Sequence, residues 1–202
     1  MWLPDKLDRQ MRRLSESDYV AAYCGMLVKE DTAPTTPVRQ RHPERTIAPL
    51  EGDILPSLTR GSYLSTQMLV IRHDVFDMVG GFDEELEALV DWELMLRIAQ
   101  KGPVAFVDED LVVQRISLDS ITRSSSKRLL AQERILEKHA VLLRRIPGVL
   151  AHHHHRLSGA HRQSGTFAEA ADHAGKALRA APFNLRYALS FLYLRARVAL
   201  QT

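Results

Sequence analysis

The sequence predicts an α/β layer followed by an all-α tail. Up to about residue 125, short apolar runs with strand character alternate with helical segments, which is typical of α/β domains. Beyond that point only helical periodicity remains, and no run has the composition of a strand. With 202 residues, 45% of them hydrophobic and 26% charged, the chain can form one or two globular domains. We therefore predict two domains, residues 1–125 and residues 126–202.

Charge and cysteine content exclude several classes of protein. A net charge of +2 at pH 7, with histidines neutral, gives no reason to expect a nucleic-acid partner. The single cysteine, Cys24, excludes an internal disulfide and a zinc site built from cysteine pairs. These observations fit a protein of the reducing cytoplasm that does not bind nucleic acid.

Neither terminal region has the pattern of an export or membrane segment. The charges within Met1–Gln10 leave no room for the apolar core of a signal peptide. Tyr187–Leu194 is apolar, but Arg186 and Arg195 keep it far shorter than the roughly twenty residues that cross a bilayer. We predict no transmembrane segment and a cytoplasmic location, and peripheral attachment to a membrane remains open.

A helix and a buried strand are the first predicted elements. The helix begins at Trp2, accommodates Pro4 in its first turn and carries apolar residues spaced for one buried face. Those residues are Leu3, Leu7, Met11 and Leu14. The strand spans Asp18–Val28, where the run from Tyr19 to Cys24 is apolar enough to be covered on both faces.

A long loop separates this strand from the next predicted one. The range Asp31–Pro56 combines many polar residues with several prolines, which predicts a loop of the kind that is often functional or mobile. Ser62–Arg72 is predicted as a second strand, and His73–Val79 as a short helical turn that leads to a pair of glycines.

The α/β layer is predicted to end with one helix and two short strands. Trp92, Met95, Leu96 and Ala99 fall on one helical face, and Lys101-Gly102-Pro103 ends that helix. The ranges 104–107 and 111–115 read as two short strands joined by a turn that contains Asp108-Glu109-Asp110.

Two short motifs stand out between the strand patterns. One is Gly-Gly-Phe-Asp-Glu, residues 80–84, where paired glycines predict a sharp turn and the following Phe82 is expected to plug a core. The other is Asp-Trp-Glu-Leu-x-Leu-Arg, which begins at Asp91. In this order the motifs resemble the family 2 glycosyltransferases, which have the GT-A fold. The resemblance implies that residues 1–125 form the acceptor half of such a domain, a partial Rossmann-like sheet layer.

The resemblance implies that Asp91 is the catalytic base. An inverting sugar transfer needs a carboxylate that takes the proton of the acceptor hydroxyl while its oxygen attacks the anomeric carbon. The family usually has Glu before this Asp, and here that residue is Val90. A structural role also remains open, in which Asp91 is the N-cap of a helix beginning at Trp92.

Further candidate substrate-binding residues lie around these motifs. They are Gly81, Phe82, Asp83, Glu84, Trp92 and Arg115. Gly81 and Phe82 are expected to form the floor of the acceptor site, whereas Asp83 and Glu84 either hydrogen-bond the acceptor or cap a turn. A salt bridge is expected for Arg97.

The family's divalent cation, Mg or Mn, is expected, but its ligands are missing from this chain. In the resembled enzymes an aspartate cluster precedes a Trp-x-Pro-x-Lys-Leu segment, and here that segment begins at Trp2. Asp108-Glu109-Asp110 comes too late in the chain to take that place. The segment from Arg115 resembles Arg-x-His-x-x-Ser-x-Ser, but Ser117 replaces the histidine, and serine is a poor metal ligand. We therefore predict no metal site.

The tail resembles part of a tetratricopeptide array. Gly165–Asn184 is similar to the second half of one repeat, with Val149–Gln163 as its first helix and Phe183–Leu200 as a capping helix. About three repeats are normally needed for independent stability, so this unit is expected to pack on the α/β part or on a protein partner. The run His152–His155 is expected to lie on a solvated helix with adventitious nickel or zinc affinity.

Sugar transfer is the function that the resemblance implies. The donor would be a nucleotide sugar and the acceptor a glycan, a lipid-linked molecule or a protein, with inversion at the anomeric carbon. Because the donor-binding half is absent from the chain, a truncated or split enzyme that binds nucleotide weakly is expected. The alternative is a non-catalytic interaction module that uses the helical tail.

Overall fold

The computed structural model describes residues 1–30, 37–44, 46–116 and 125–200. The chain divides into two compact units, Met1–Ser124 and Ser125–Thr202. Within the described ranges, the first unit combines a four-stranded mixed sheet with helices, and the second contains helices alone. The mixed α/β fold predicted from the sequence is therefore confirmed.

A sheet with β1 at its centre organises the first unit. Its strands are β1 (Ala21–Glu30), β2 (Val38–His42), β3 (Leu69–Ile71) and β4 (Val104–Ile116). Its helices are α1 (Lys6–Ser15), α2 (Leu55–Leu58), α3 (His73–Met78) and α4 (Val90–Ile98), with a 3₁₀ turn at Thr66–Met68. On one side β1 pairs with β4 in parallel, and on the other its two halves pair antiparallel with β3 and β2.

The first half of β1 is buried, as its apolar run predicts. The side chains from Ala21 to Cys24 are inaccessible to solvent. Burial raises the pKa of the Cys24 thiol to about 11. The outer edge of β4 is covered at two points, by bridges from Gly52 to Val104 and from Trp2 to Val112.

Two predictions about loops and strands were wrong. The range Asp31–Pro56 contains β2 and the start of α2, although residues 31–36 and 45 lie outside the described part of the chain. A sequence pattern missed β2 because most of its side chains are exposed and polar, so pairing with β1 defines it. The predicted strand Ser62–Arg72 is reduced to the three residues of β3.

The buried face of α1 also differs from the prediction. Leu7 and Met11 are exposed, whereas Lys6, Gln10 and Leu14 are buried. Gln10 Nε2 donates hydrogen bonds to the main-chain carbonyls of Ala22, at 3.2 Å, and Met68, at 2.8 Å. These bonds turn a polar face of the helix towards the sheet, and they join residues that are distant in the sequence.

The two short strands predicted at the end of the layer form one bulged strand, β4. Its pairing with β1 shifts register around Gly25, so Asp108-Glu109-Asp110 lies in the irregular part of the strand and not in a turn. A Cβ atom at Gly25 would lie 2.2 Å from Asp110 Oδ1 and 2.9 Å from the Glu109 carbonyl oxygen. The bulge therefore requires glycine at this position.

The second unit consists of helices joined by short turns. They are α5 (Ser125–Lys138), α6 (Ala140–Arg144), α7 (Val149–Gln163), α8 (Phe167–Ala180) and α9 (Leu185–Ala199). Helix α8 packs on both α7 and α9. Ala170 and Ala177 are buried on α8, as their small size predicts for a close helix interface. In the described ranges every helix is too short or too polar to cross a bilayer.

Candidate functional site

Asp91 lies in the first turn of α4. The helix begins at Val90, and the residue that precedes it, Leu89, has a left-handed backbone with φ +59°. The alternative role of Asp91 as N-cap is therefore wrong, because Leu89 occupies that position. The Asp91 carboxylate is half-buried, and its Oδ1 accepts a hydrogen bond from the Trp92 N–H at 2.8 Å. A carboxylate at a helix N-terminus is stabilised by the helix dipole and by N–H groups that lack helical partners.

The paired glycines form the sharp turn that the sequence predicts. Gly80 and Gly81 have φ values of +80° and +69°, in the left-handed region that other residues rarely adopt. The N–H of Gly81 donates to the Phe76 carbonyl at 3.1 Å, so the turn ends α3. The glycines thus reverse the chain between α3 and the segment that leads to α4.

An ion pair on α4 holds this turn. Glu93 is completely buried, and its carboxylate accepts hydrogen bonds from Arg97 Nε at 2.9 and 3.0 Å. The same guanidinium donates to the carbonyl of Gly81 at 2.7 Å and to that of Val79. The salt bridge expected for Arg97 is confirmed, and it joins the helix that carries Asp91 to the diglycine turn.

The residues that follow the glycines lie at the surface. Phe82 is 40% exposed and packs edge-on against Phe76, with ring centroids 5.7 Å apart, so the prediction that it plugs a core was wrong. Asp83 Oδ1 accepts a hydrogen bond from the Glu85 N–H at 3.1 Å and so caps a turn. Glu84 is exposed. Phe82, Asp83 and Glu84 thus form a surface segment that directly follows the turn at Gly80 and Gly81.

Two other predicted binding residues have different surroundings. Trp92 is 2% exposed, and its indole N–H donates to the Leu58 carbonyl at 2.7 Å, which ties α4 to α2. That placement favours a packing role for the ring. Arg115 is exposed near the end of β4, opposite Lys29 of β1. Ser117 lies outside the described residues.

The acidic triplet on β4 is held by arginines. Arg41 contacts Asp110 at 2.7 Å and Asp108 at 3.0 Å, and Arg9 pairs with Glu109. These guanidinium groups neutralise the carboxylate charges that would otherwise attract a metal cation. Each carboxylate of the triplet thus has an arginine partner.

The prediction of a solvated histidine helix was wrong for part of the run, because His152 is exposed but His153 is not. His153 of α7 is fully buried. Its Nδ1 lies 3.4 Å from Gln132 Nε2 of α5. His154 lies against His173 of α8, with the two Nδ1 atoms 3.1 Å apart. Burial, helped by the nearby His173 and Lys176, lowers the pKa of His154 to about 4. His153 lies against α5 and His154 against α8, whereas His152 is exposed, a difference that sequence periodicity alone could not show.

No protein-family model matches the chain, and a search of curated proteins finds no match either. The resemblance described above therefore depends on the sequence motifs alone.

Proposed function

We propose that the first unit is the acceptor side of an inverting sugar transferase related to the family 2 glycosyltransferases, with a GT-A-type sheet. Asp91 is the base that accepts the proton of the acceptor hydroxyl. The observation that carries this proposal is the position of Asp91 in the first turn of α4, the helix joined through Arg97 to the diglycine turn.

The backbone before Asp91 supports a functional role. A left-handed non-glycine residue costs about 1–2 kcal/mol, and Leu89 adopts this conformation directly before the helix. Such a conformation persists where the surrounding structure fixes it. One turn further along α4, the Glu93 N–H donates a hydrogen bond to the Leu89 carbonyl at 3.0 Å.

The donor site and its cation need residues that the described part of this unit does not supply. In the described part of the first unit no three acidic, histidine or cysteine side chains converge, and the triplet on β4 is paired with arginine. These residues do not fit a Mg or Mn site for a sugar diphosphate. The role proposed here for the unit is therefore to bind and deprotonate the acceptor.

An activity measurement tests the role of Asp91. Transfer from nucleotide-sugar donors to glycan and lipid-linked acceptors is followed with the protein expressed from its whole gene. General-base catalysis contributes about 10²–10⁴-fold, so Asp91→Asn is expected to reduce turnover by that factor. Asp74→Asn is the matched control, because Asp74 also lies in the first turn of its helix and is exposed. Turnover by Asp91→Asn that equals the wild type would overturn the proposal.

The second unit supports a different function, protein binding. We propose that α7 and α8 form a tetratricopeptide-like helix pair capped by α9. Beyond its contact with α8, helix α9 has a second apolar stripe that is exposed and repeats at helical spacing. Its members are Leu185, Leu189, Leu192 and Tyr193. Such a stripe is where a further helix would pack in a helical array.

Two measurements distinguish these functions. Because the described part of the first unit supplies no cation site, a nucleoside diphosphate with Mn²⁺ is expected to leave the melting temperature unchanged, and a rise would contradict that part of the proposal. Saturable binding of a helical peptide that Leu189→Lys abolishes favours the interaction module, whereas turnover that depends on Asp91 favours the transferase. Lys176→Ala is a control for the peptide experiment, because Lys176 lies on α8 and pairs with Asp172 of the same helix.

A further inference from the structure

Three helices of the second unit bring a carboxylate and two imidazoles together. Glu133 of α5, His161 of α7 and His173 of α8 place one ligand atom each within 4.8 Å of the others. His161 Nε2 lies 2.7 Å and His173 Nε2 lies 3.0 Å from the same oxygen, Glu133 Oε1. The two rings are stacked, with centroids 5.3 Å apart and planes 11° apart. Each imidazole therefore directs its Nε2 at the carboxylate of Glu133.

The other nitrogen of each ring is also engaged. His161 Nδ1 lies 2.8 Å from Thr166 Oγ1, and His173 Nδ1 lies 3.1 Å from His154 Nδ1. Histidines that bind metals almost always donate their second N–H to a polar partner, which fixes the tautomer and the ring orientation. Here both potential ligands have such a partner.

We propose that Glu133, His161 and His173 bind a divalent transition-metal ion, with Zn²⁺ the best match to two imidazoles and one carboxylate. The ligand atoms would be His161 Nε2, His173 Nε2 and a Glu133 oxygen, and water would complete the coordination. At metal–ligand distances of about 2.0–2.1 Å, tetrahedral ligands lie about 3.3 Å apart. The distances of 2.7 and 3.0 Å to Glu133 Oε1 need to increase by about 0.6 and 0.3 Å, and the two ligating nitrogens, which lie within 4.8 Å of each other, need to reach the same separation of about 3.3 Å.

The protons balance through tautomer changes. Without metal, each Nε2 must carry the proton because the Glu133 carboxylate can only accept, so in neutral rings His154 would donate its Nδ1–H to His173 Nδ1. With metal, each ligand ring carries its proton on Nδ1, so His161 donates to Thr166 and His173 donates to His154. His154 then holds its own proton on Nε2. A neutral pair of rings thus binds the ion without net proton release, and a charged ring would release one proton.

Access to this site is partial. The side chains of His161 and His173 are 9% and 10% exposed, whereas that of Glu133 is 26% exposed. An ion would therefore enter past the carboxylate, and the imidazoles would form the inner wall. This burial separates the cluster from surface histidines such as His73, whose side chain is 91% exposed.

Metal titration of the chelator-treated full chain tests the site. Calorimetry with Zn²⁺ is expected to show one ion per chain, and Co²⁺ is expected to produce the visible absorption of a low-coordinate nitrogen and oxygen site. Glu133→Gln and His173→Gln are expected to weaken binding at least about 100-fold. The indirect partners are expected to matter less, with about a 10-fold loss in Thr166→Val.

Two controls make the result decisive. His73→Gln and His152→Gln remove histidines outside the cluster and are expected to leave affinity unchanged, and circular dichroism shows which variants are folded. If His173→Gln fails to fold, Thr166→Val and the Co²⁺ spectrum of the wild type carry the test. The proposal fails if the wild type binds no ion. It also fails if folded Glu133→Gln binds as tightly as the wild type, or if His152→Gln abolishes binding.

Discussion

The two units stabilise their inward-facing polar groups by different chemistry. In the α/β unit arginines pair with carboxylates and also hold the main chain, as Arg97 does between Glu93 and the diglycine turn. In the helical unit two imidazoles share the carboxylate of Glu133. Arginine stays charged at all ordinary pH values, whereas imidazole changes tautomer, charge and ligands near neutrality. The first arrangement suits a fixed backbone, and the second suits a site that responds to an ion.

Removal of the buried charge on α4 is the most severe test of this contrast. Glu93→Gln is expected to lower the free energy of unfolding by about 3–5 kcal/mol, because the Arg97 guanidinium loses its charged partner in a buried setting. Chemical denaturation of the wild type and the variant measures the difference. Asp8→Asn is the matched control, since Asp8 and Arg12 have the same spacing but are 68% and 72% exposed. There a loss below about 0.5 kcal/mol is expected. Equal effects at both positions would show that burial does not distinguish these pairs.

Alanine substitution of one glycine in each unit, Gly25 and Gly159, compares the backbones of the two units. Gly25→Ala is expected to destabilise the protein by about 1–3 kcal/mol, because its Cβ would overlap Asp110 and the Glu109 carbonyl at the bulge of β4. Gly159→Ala in α7 is expected to stabilise by about 0.5–1 kcal/mol, since nothing lies within 4 Å of its Cβ and alanine favours a helix. Thermal unfolding of both variants measures these opposite signs. A stable Gly25→Ala protein would mean that the bulge adjusts.

The smallest expected effect concerns pH. Burial tends to raise the pKa of Glu51, but hydrogen bonds from the Phe106 N–H, Arg13 and Tyr19 outweigh it and lower the pKa. The stability contributed by this carboxylate is therefore present above the unfolded pKa near 4.5 and is lost as the pH falls through the lower folded value. Glu51→Gln is expected to lower the free energy of unfolding by about 1–2 kcal/mol at pH 7. The difference in stability from the wild type should become smaller as the pH falls. Melting curves from pH 7 to pH 3 measure it, and a gap that widens in acid would contradict the assignment.

Local patterns predicted two of the helices well. The structure has α7 at Val149–Gln163, as predicted, and α3 within one residue of its predicted end. Both segments have an apolar period and residues that end helices, and these signals act over a few positions. The diglycine turn was predicted for the same reason, because positive φ values at Gly80 and Gly81 require residues without a Cβ.

Long-range contacts set the features that the sequence did not predict. The inward face of α1 depends on Gln10 reaching the Met68 carbonyl, 58 residues away, and apolar spacing carries no information about that bond. The cluster on Glu133 unites partners 28 and 40 residues apart. One local signal was available, because His154 and His161 are seven residues apart and therefore share a face of α7. The partners Glu133 and His173 could be found only from the packing of three helices.

The buried thiol of Cys24 provides a natural probe for opening of the sheet in the first unit. Because the side chain lies at the centre of the sheet and its pKa is raised to about 11, an alkylating reagent can reach a reactive thiolate only when β1 separates from its neighbours. The helical unit contains no cysteine. Pulsed alkylation followed by mass spectrometry therefore records opening of the sheet separately from events in the helices, without any engineered label.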